Sequence, residues 1–507
     1  MSDTAAPAPK SAALDRDLMA VATVVVLGAV MSILDVTVVN VAINTLAQEF
    51  DTTLPTIQWV ATGYTLALAT VIPITGWASD RFGTKRLYMM SLGLFAAGSV
   101  LAGLAWSAES LIFFRILQGF GGGMIMPAGM TILTRAAGTD RIGRVMAVIG
   151  VPMLLGPIFG PILGGWLVDD FSWHWIFFIN LPIAIVAIFL AQRILPRDVP
   201  KHDEQLDWMG LALLSPGLAL VIYGLAESGS NGGFGSAEVL APMAVGAVML
   251  AAFVRHALRS PHPLIDLRLF KNRVFTASMI TLVLVIIAVF GGMFLLPLYL
   301  QVVRGETAMA TGLLLAPQGF GAMLSMPIAG RLSDRTGVGR IVPVGLAIVA
   351  LSFLALTQLE ADTSYWALGA VLFVMGLGMG ATMMPVFSGA MQTLRQAAVA
   401  RASTTLNINQ QVGASIGTAV LSVLLANALA DRLPGSSGGG IGEAAAVPPD
   451  VHAQIAGPMA EAFASTFWWA LGLIVIAFVV ATALLPKRRP APVEDPDGAT
   501  PAPVLVH

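Results

Sequence analysis

Fourteen apolar runs follow one another along this chain, at about 18–43, 57–78, 87–106, 110–134, 143–168, 174–195, 207–226, 238–257, 274–300, 308–330, 340–359, 364–388, 404–430 and 464–485. A helix needs about 20 apolar residues to cross a bilayer. In lipid every backbone N–H and C=O must also find its partner within the fold, which leaves helices or closed barrels. A chain built almost wholly of such runs can fold only as a bundle of spanning helices. Charged residues make up 11% and apolar residues 56%, against about 25% charged in soluble domains. We therefore expect an all-α polytopic membrane protein with 14 transmembrane helices.

The loops give the orientation. Of the 27 Lys and Arg, only Arg304 and Arg432 fall outside and only Arg115 lies deep within a run when both termini are placed in the cytoplasm, the others falling in cytoplasmic loops or at the cytoplasmic ends of runs. That asymmetry is the positive-inside rule, and a missed or surplus span would scramble it. The expected location is the cell (inner) membrane, multi-pass, with both termini cytoplasmic. Residues 1–17 and 486–507 then form cytoplasmic tails, and 431–463 a long external loop whose first half, around Pro434–Gly440, reads as flexible. The first run is too long for a signal-peptide core and is expected to stay as a helix. The chain has no cysteine, which excludes disulfides, thiolate metal sites and Cys nucleophiles. A net charge of −2 without a basic block gives no nucleic-acid partner.

An internal repeat divides the runs. Gly76-x3-Asp80-Arg81-x-Gly83-x2-Arg86, after the second run, recurs after the tenth as Gly330-x3-Asp334-Arg335-x-Gly337-x2-Arg340. Gly119-x-Gly121-x-Gly123 in the fourth run recurs as Gly376-x-Gly378-x-Gly380 in the twelfth. Parallel repeats of six-helix halves are a transporter plan. The spacing predicts an N-terminal six-helix bundle over 18–195, two additional linking helices over 207–257, and a C-terminal six-helix bundle over 274–485.

Asp35 and Arg115 are the charged residues placed deep inside runs. A charge at the centre of a spanning helix costs roughly 2.5–3.5 kcal/mol, and such residues are functional by default. Burial disfavours a charged carboxylate and a nearby cation favours it, so a carboxylate under both pulls can load and unload a proton as its surroundings change. None of the six histidines lies deep in a run, so a histidine relay is not expected. Polar residues within runs, namely Asn40, Tyr64, Gln118, Tyr299, Gln318, Asn407, Asn409 and Gln411, are candidates to line a central cavity. Methionines at 124, 126, 130, 379, 383 and 384 would suit an adaptable surface or plain packing. Gly413-x-Ser415-x-Gly417 matches a hydrolase elbow, but it lies inside an apolar helix rather than after a strand and reads as helix packing.

These motifs also carry a resemblance. The Gly-x3-Asp-Arg-x-Gly-x2-Arg loop is similar to the cytoplasmic signature of the major facilitator superfamily, and Arg115-x2-Gln118-Gly119 to its proton-coupling motif. Gly156-Pro157-x2-Gly160-Pro161-x2-Gly164-Gly165 in the fifth run resembles the antiporter motif of exporters. Leu34-Asp35-x-Thr37-Val38-Val39-Asn40-Val41-Ala42 and Trp173–Pro182 resemble segments of the 14-helix drug:proton antiporters of the EmrB/QacA type. Asn44, His174 and Gln410 stand where that branch often has other residues.

The resemblance implies the major facilitator fold and a proton-coupled antiporter exporting hydrophobic or cationic drug-like compounds by alternating access. Asp35 and Arg115 would couple the proton, and Gly76, Asp80, Arg81, Gly83, Arg86, Asp334 and Arg335 would form a cytoplasmic gate. The expected partners are protons, the lipid bilayer and a small amphipathic substrate, for a monomer that an adaptor protein could join. No cofactor is expected beyond the proton gradient, and no nucleotide-binding Gly-x4-Gly-Lys-Ser/Thr is present. An enzyme is not expected. The alternatives are an exporter of one endogenous lipid or metabolite, or a symporter.

Overall fold

The computed structural model describes residues 16–52, 54–137, 159–160, 163–168, 170–196, 205–230, 234–261, 263–394, 398–432 and 449–488. Among them the regular structure is helical throughout. The first half holds α1 (Arg16–Glu49), α2 (Leu54–Val71), α3 (Thr75–Phe82), α4 (Thr84–Gly103), α5 (Ala108–Ala137), α6 (Trp175–Phe178) and α7 (Asn180–Ile194). A linking pair follows, α8 (Trp208–Ser230) and α9 (Ala237–Arg259). The second half holds α10 (Arg273–Leu298), α11 (Ala308–Thr336), α12 (Val338–Leu356), α13 (Tyr365–Gln392), α14 (Val399–Arg432) and α15 (Pro449–Leu484).

Among the described residues thirteen helical stretches are long and apolar enough to span a membrane, and they match thirteen of the fourteen expected runs in order. The remaining run, 143–168, lies mostly outside the described residues, of which 159–160 and 163–168 are helical. One boundary differs from expectation. Residues 449–463, expected in the external loop 431–463, begin α15 instead. Polar residues such as Asp450, His452 and Gln454 lower the local hydropathy, but Met459, Ala460, Ala462 and Phe463 are fully buried. The Phe463 ring stands edge-on to Tyr299 at 5.9 Å, and that packing extends the helix.

The repeated sequences perform the same work twice. Gly83 (φ 86°) and Gly337 (φ 90°) lie in a backbone region that L side chains rarely adopt. Each donates its N–H back to a serine carbonyl, Ser79 or Ser333, at 3.1 Å, ending one helix and opening the next. The glycine ladders agree as well. A Cβ on Gly119 would sit 2.6 Å from the Tyr64 carbonyl oxygen of α2, and one on Gly121 2.5 Å from the Phe95 nitrogen of α4. In the second copy, Gly376 faces the Gln318 carbonyl of α11 at 2.0 Å, and Gly378 the Gly345 carbonyl of α12 at 2.8 Å. Small residues let helix backbones meet where lipid supplies no hydrophobic drive for association. Gly376→Ala is expected to lower stability by about 1–3 kcal/mol, as overpacking does, read as an earlier thermal midpoint in detergent. Gly93→Ala, with open space around its Cβ, is the control expected to leave that midpoint unchanged.

Within the first half α1 packs on α5, α7 and α2, and α4 on α5 and α7. In the second, α11 and α12 pack on α13, and α10 on α14 and α15. The halves meet through α14, which touches α3 and α5, while α8 touches both α2 and α14. Beside that seam a cleft of ≈ 230 Å³ is lined by Thr62, Thr65, Ile222, Ala226, Ser415 and Thr418 among others. Large apolar side chains such as Trp366, Val248 and Leu351 point outward, as a lipid-facing surface requires.

Candidate functional site

The packing of α1, α5 and α7 brings one carboxylate, one guanidinium and two amides together. Asp35 of α1 and Arg115 of α5 are each 1% exposed. Arg115 Nη1 donates to Asp35 Oδ2 at 2.5 Å. Gln118 stands three residues beyond Arg115, on the same helix face. Its Nε2 donates to Asp35 Oδ1 at 2.8 Å, and its Oε1 accepts from Arg115 Nη1 at 2.7 Å. The third donor to the carboxylate is Asn180 Nδ2, at the first residue of α7, 2.7 Å from the same Oδ1. This amide also donates to Ser99 Oγ of α4 at 3.0 Å.

The guanidinium is held from every side. Arg115 Nε donates to the Val60 carbonyl at 3.3 Å, and its planar head lies 4.3 Å from the Tyr64 ring centroid and 5.7 Å from that of Phe177. Aromatic faces attract such a cation, more strongly when water is excluded. Among the described residues no other ion pair has both members buried. Breaking a buried pair by removing one partner costs about 3–5 kcal/mol because the other charge is stranded. A proton arriving at Asp35 has a related effect, since it cancels the charge that holds Arg115 and Gln118.

The fifth run meets α1 beside this cluster. A Cβ on Gly160 would come within 2.0 Å of Thr37 Oγ1, and one on Gly164 within 3.2 Å of the Val38 backbone. Gly165 faces open space. Gly156, Pro157 and Pro161 lie outside the described residues.

The polar residues expected to line a cavity are dispersed. Tyr64 and Gln118 join the Asp35 cluster, and the Tyr64 hydroxyl is 3.4 Å from Ser32 Oγ. Tyr299 is fully buried and donates to the Glu360 carbonyl at 2.5 Å. Gln318 Nε2 reaches Met379 Sδ at 3.1 Å. Asn407 bonds its own helix at Ser403 O, 2.8 Å away, and Asn409 reaches Met279 O of α10 at 3.5 Å. Gln411 is half-buried on α14, and the side chain of Asn40 lies outside the described residues.

At the gate motif, Asp80 is buried and takes Arg135 Nη2 of α5 at 3.3 Å. Arg135 also donates to Thr84 Oγ1 at 2.9 Å. Gly76 seats this corner against α14, where a Cβ would meet Thr404 Oγ1 at 3.1 Å. Arg81 is half-buried and Arg86 exposed. In the second copy Arg335 is exposed, and the side chain of Asp334 lies outside the described residues. In the sequence Asn180 has only a place in the Trp173–Pro182 motif, with no role, and Arg135 only a place among the loop charges. Asn180 had a signal, being an amide inside the apolar stretch Ile176–Pro182. Arg135 had none beyond its charge at a helix end.

The structure is a bundle of spanning helices in two repeated halves with a charge pair buried inside the first, the build of a polytopic membrane protein, and comparison with known proteins gives its family. The model of the Major Facilitator Superfamily matches residues 25–418. The chain belongs to that superfamily. It is 45% identical over 494 residues to the multidrug resistance protein B homolog of Mycobacterium tuberculosis (strain ATCC 25618 / H37Rv), covering 94% of this chain and 91% of the relative. The multidrug export proteins EmrB of Haemophilus influenzae and Escherichia coli are 32% and 31% identical, each over 78% of both chains. Within the superfamily the chain therefore falls in the EmrB-type branch of multidrug exporters. In fold it is similar to the human organic anion transporter MFSD10, with TM-score 0.62 and 16% identity over 92% of this chain and 99% of that one. The proton:xylose symporter XylE matches with TM-score 0.58 and 13% identity over 91% and 94%.

Proposed function

We propose that this protein is a proton-coupled antiporter that exports hydrophobic or cationic drug-like compounds from the cytoplasm by alternating access. The observation that carries this reading is the carboxylate Asp35, buried with one cation and two amide donors. Ionised, Asp35 ties α1 to α5 and α7. Protonated from outside, it releases Arg115 and Gln118, and the helices are free to repack and open inward. Release of the proton to the cytoplasm then restores the ties as substrate loads. Each proton moving inward yields about 2.3 kcal/mol per 100 mV, so the cycle needs no nucleotide and no cofactor. In this reading Asp80, Arg135 and Gly76 close the cytoplasmic end, and the chain works as a monomer in the inner membrane.

The test uses inside-out vesicles and a fluorescent lipophilic cation. With an acid lumen, dye is expected to accumulate inside, and adding dye to such vesicles is expected to raise lumenal pH. Accumulation that survives collapse of the pH gradient and the membrane potential would contradict proton coupling.

A further inference from the structure

We infer that Asn180 is the amide that reads the protonation state of Asp35, presenting Nδ2 to the carboxylate and Oδ1 to the carboxylic acid. The inference rests on the proposal that Asp35 carries the transported proton. In the structure the Asn180 side chain is spent on one edge only. Its Nδ2 donates to Asp35 Oδ1 and Ser99 Oγ, while its Oδ1 is buried with no partner. Buried acceptors are normally paired, and an orphan calls for an explanation.

Protonation supplies one. A carboxylic acid has an O–H to donate, and the groups around Asp35 offer little to receive it. Arg115 has no acceptor, and Gln118 Oε1 already accepts from Arg115 at 2.7 Å. The Tyr64 hydroxyl lies beside Ser32 at 3.4 Å, and the Val60 carbonyl is taken by Arg115 Nε at 3.3 Å. Ser99 donates to the Phe177 carbonyl at 2.8 Å. Among the described residues Arg115 of α5 and Tyr64 of α2 are the titratable side chains that face the carboxylate, while α4, α6 and α7 present Ser99, Phe177 and Asn180. Asn180 Oδ1 is the unpartnered acceptor within one amide rotation of Asp35. A half-turn about the last side-chain torsion sets it opposite the acid O–H and removes Nδ2 from Ser99. The proton is thereby reported to α7 and α4, at the helix break where Ile179 separates α6 from α7.

Asn180→Val and Asn180→Thr are nearly the same shape, but only the threonine hydroxyl can both donate and accept. Infrared difference spectra between acid and alkaline pH would be recorded on the purified transporter for wild type, Asp35→Asn and both variants. In parallel, the pH giving half-maximal dye transport would be measured in vesicles. The expected wild-type spectrum contains a carboxylic C=O band that is missing in Asp35→Asn. In Asn180→Val that band moves to higher wavenumber, as for an acid whose O–H has lost its acceptor. The transport midpoint there moves away from the wild-type value, since the charged form loses a donor and the acid loses its acceptor, and the two losses differ in size. Asn180→Thr stays near wild type in both readouts. If the valine and threonine variants give the same band and the same midpoint, the inference is overturned. If one variant fails to fold, Ser99→Ala takes its place, with the band unmoved and the midpoint raised; an unchanged midpoint then counts against the amide switch. A wild-type spectrum without an Asp35-dependent band overturns the Asp35 proposal itself, and is recognisable as such.

Discussion

Asp35→Asn is expected to reduce gradient-driven dye accumulation to the level of passive equilibration. One pH unit of gradient is worth tenfold in an equilibrium constant per exchanged proton, so wild-type vesicles concentrate dye about tenfold per unit. The variant, with no proton to exchange, gives a ratio near one. Lost coupling must be separated from lost folding. Asparagine keeps the shape of Asp35 but leaves Arg115 buried without a counter-charge, which costs about 3–5 kcal/mol. The double variant Asp35→Asn/Arg115→Met removes both charges and is expected to recover much of that stability, since apolar replacement of a whole buried pair is often neutral. Transport is expected to stay absent in both. Thermal midpoints in detergent together with vesicle uptake separate the outcomes, and an Asp35→Asn protein that still exchanges dye for protons at the wild-type ratio would refute the mechanism.

Gly160→Ala is expected to cut transport at least tenfold while the protein still reaches the membrane. The added Cβ would lie 2.0 Å from Thr37 Oγ1 and 2.4 Å from Thr37 Cβ, contacts that force α1 away from the fifth run two residues beyond Asp35. Overpacking of this kind costs about 1–3 kcal/mol, which the bundle tolerates. The hydrogen bonds to Asp35 tolerate displacement less well, since they weaken steeply with distance and angle. Thr37→Gly should restore part of the activity by clearing both clashing atoms, at a helix cost of only about 0.3 kcal/mol relative to threonine. Gly165→Ala meets nothing within 4 Å and should transport as wild type. Equal losses in Gly160→Ala and Gly165→Ala would show that the close approach to α1 is irrelevant.

Much of this architecture is legible in the chain because lipid simplifies the rules. Long apolar runs fix spanning helices, and paired copies of Asp-Arg-x-Gly fix the turns at Gly83 and Gly337, where only the backbone matters. Asp35 and Arg115 are legible as partners because a deep charge needs an opposite one. The remaining polar residues carry no such obligation. An Asn, Ser or Thr in a spanning helix can bond its own preceding turn, as Asn407 does at Ser403 O, or reach a neighbour, as Asn180 does at Asp35. The sequence looks alike in both cases. Arg135 belonged to the count of loop charges, and only the approach of α5 to α3 and α4 makes it the partner of Asp80. The start of α15 was hidden for another reason, since its first turns carry polar residues and its hold on Tyr299 is a contact distant in sequence.

The α8–α9 hairpin lies across the seam, with α8 seated on both α2 and α14. If the two halves rock apart as proposed, a body resting on both cannot keep both footings. The hairpin must ride with one half and slide on the other, so the excursion opens wider on the far side of the bundle than here. Thr62 and Thr65 of α2 and Ser415 and Thr418 of α14 line the cleft at this sliding contact, with hydroxyls of Thr65, Ser415 and Thr418 bonded to carbonyls of their own helices. On the α2 side the hairpin is pinned, with Ser215 Oγ of α8 donating to the Thr70 carbonyl at 2.6 Å, so the footing left to slide as a bearing does is the one on α14. In the proposed cycle the linking helices would thus set the direction of tilt.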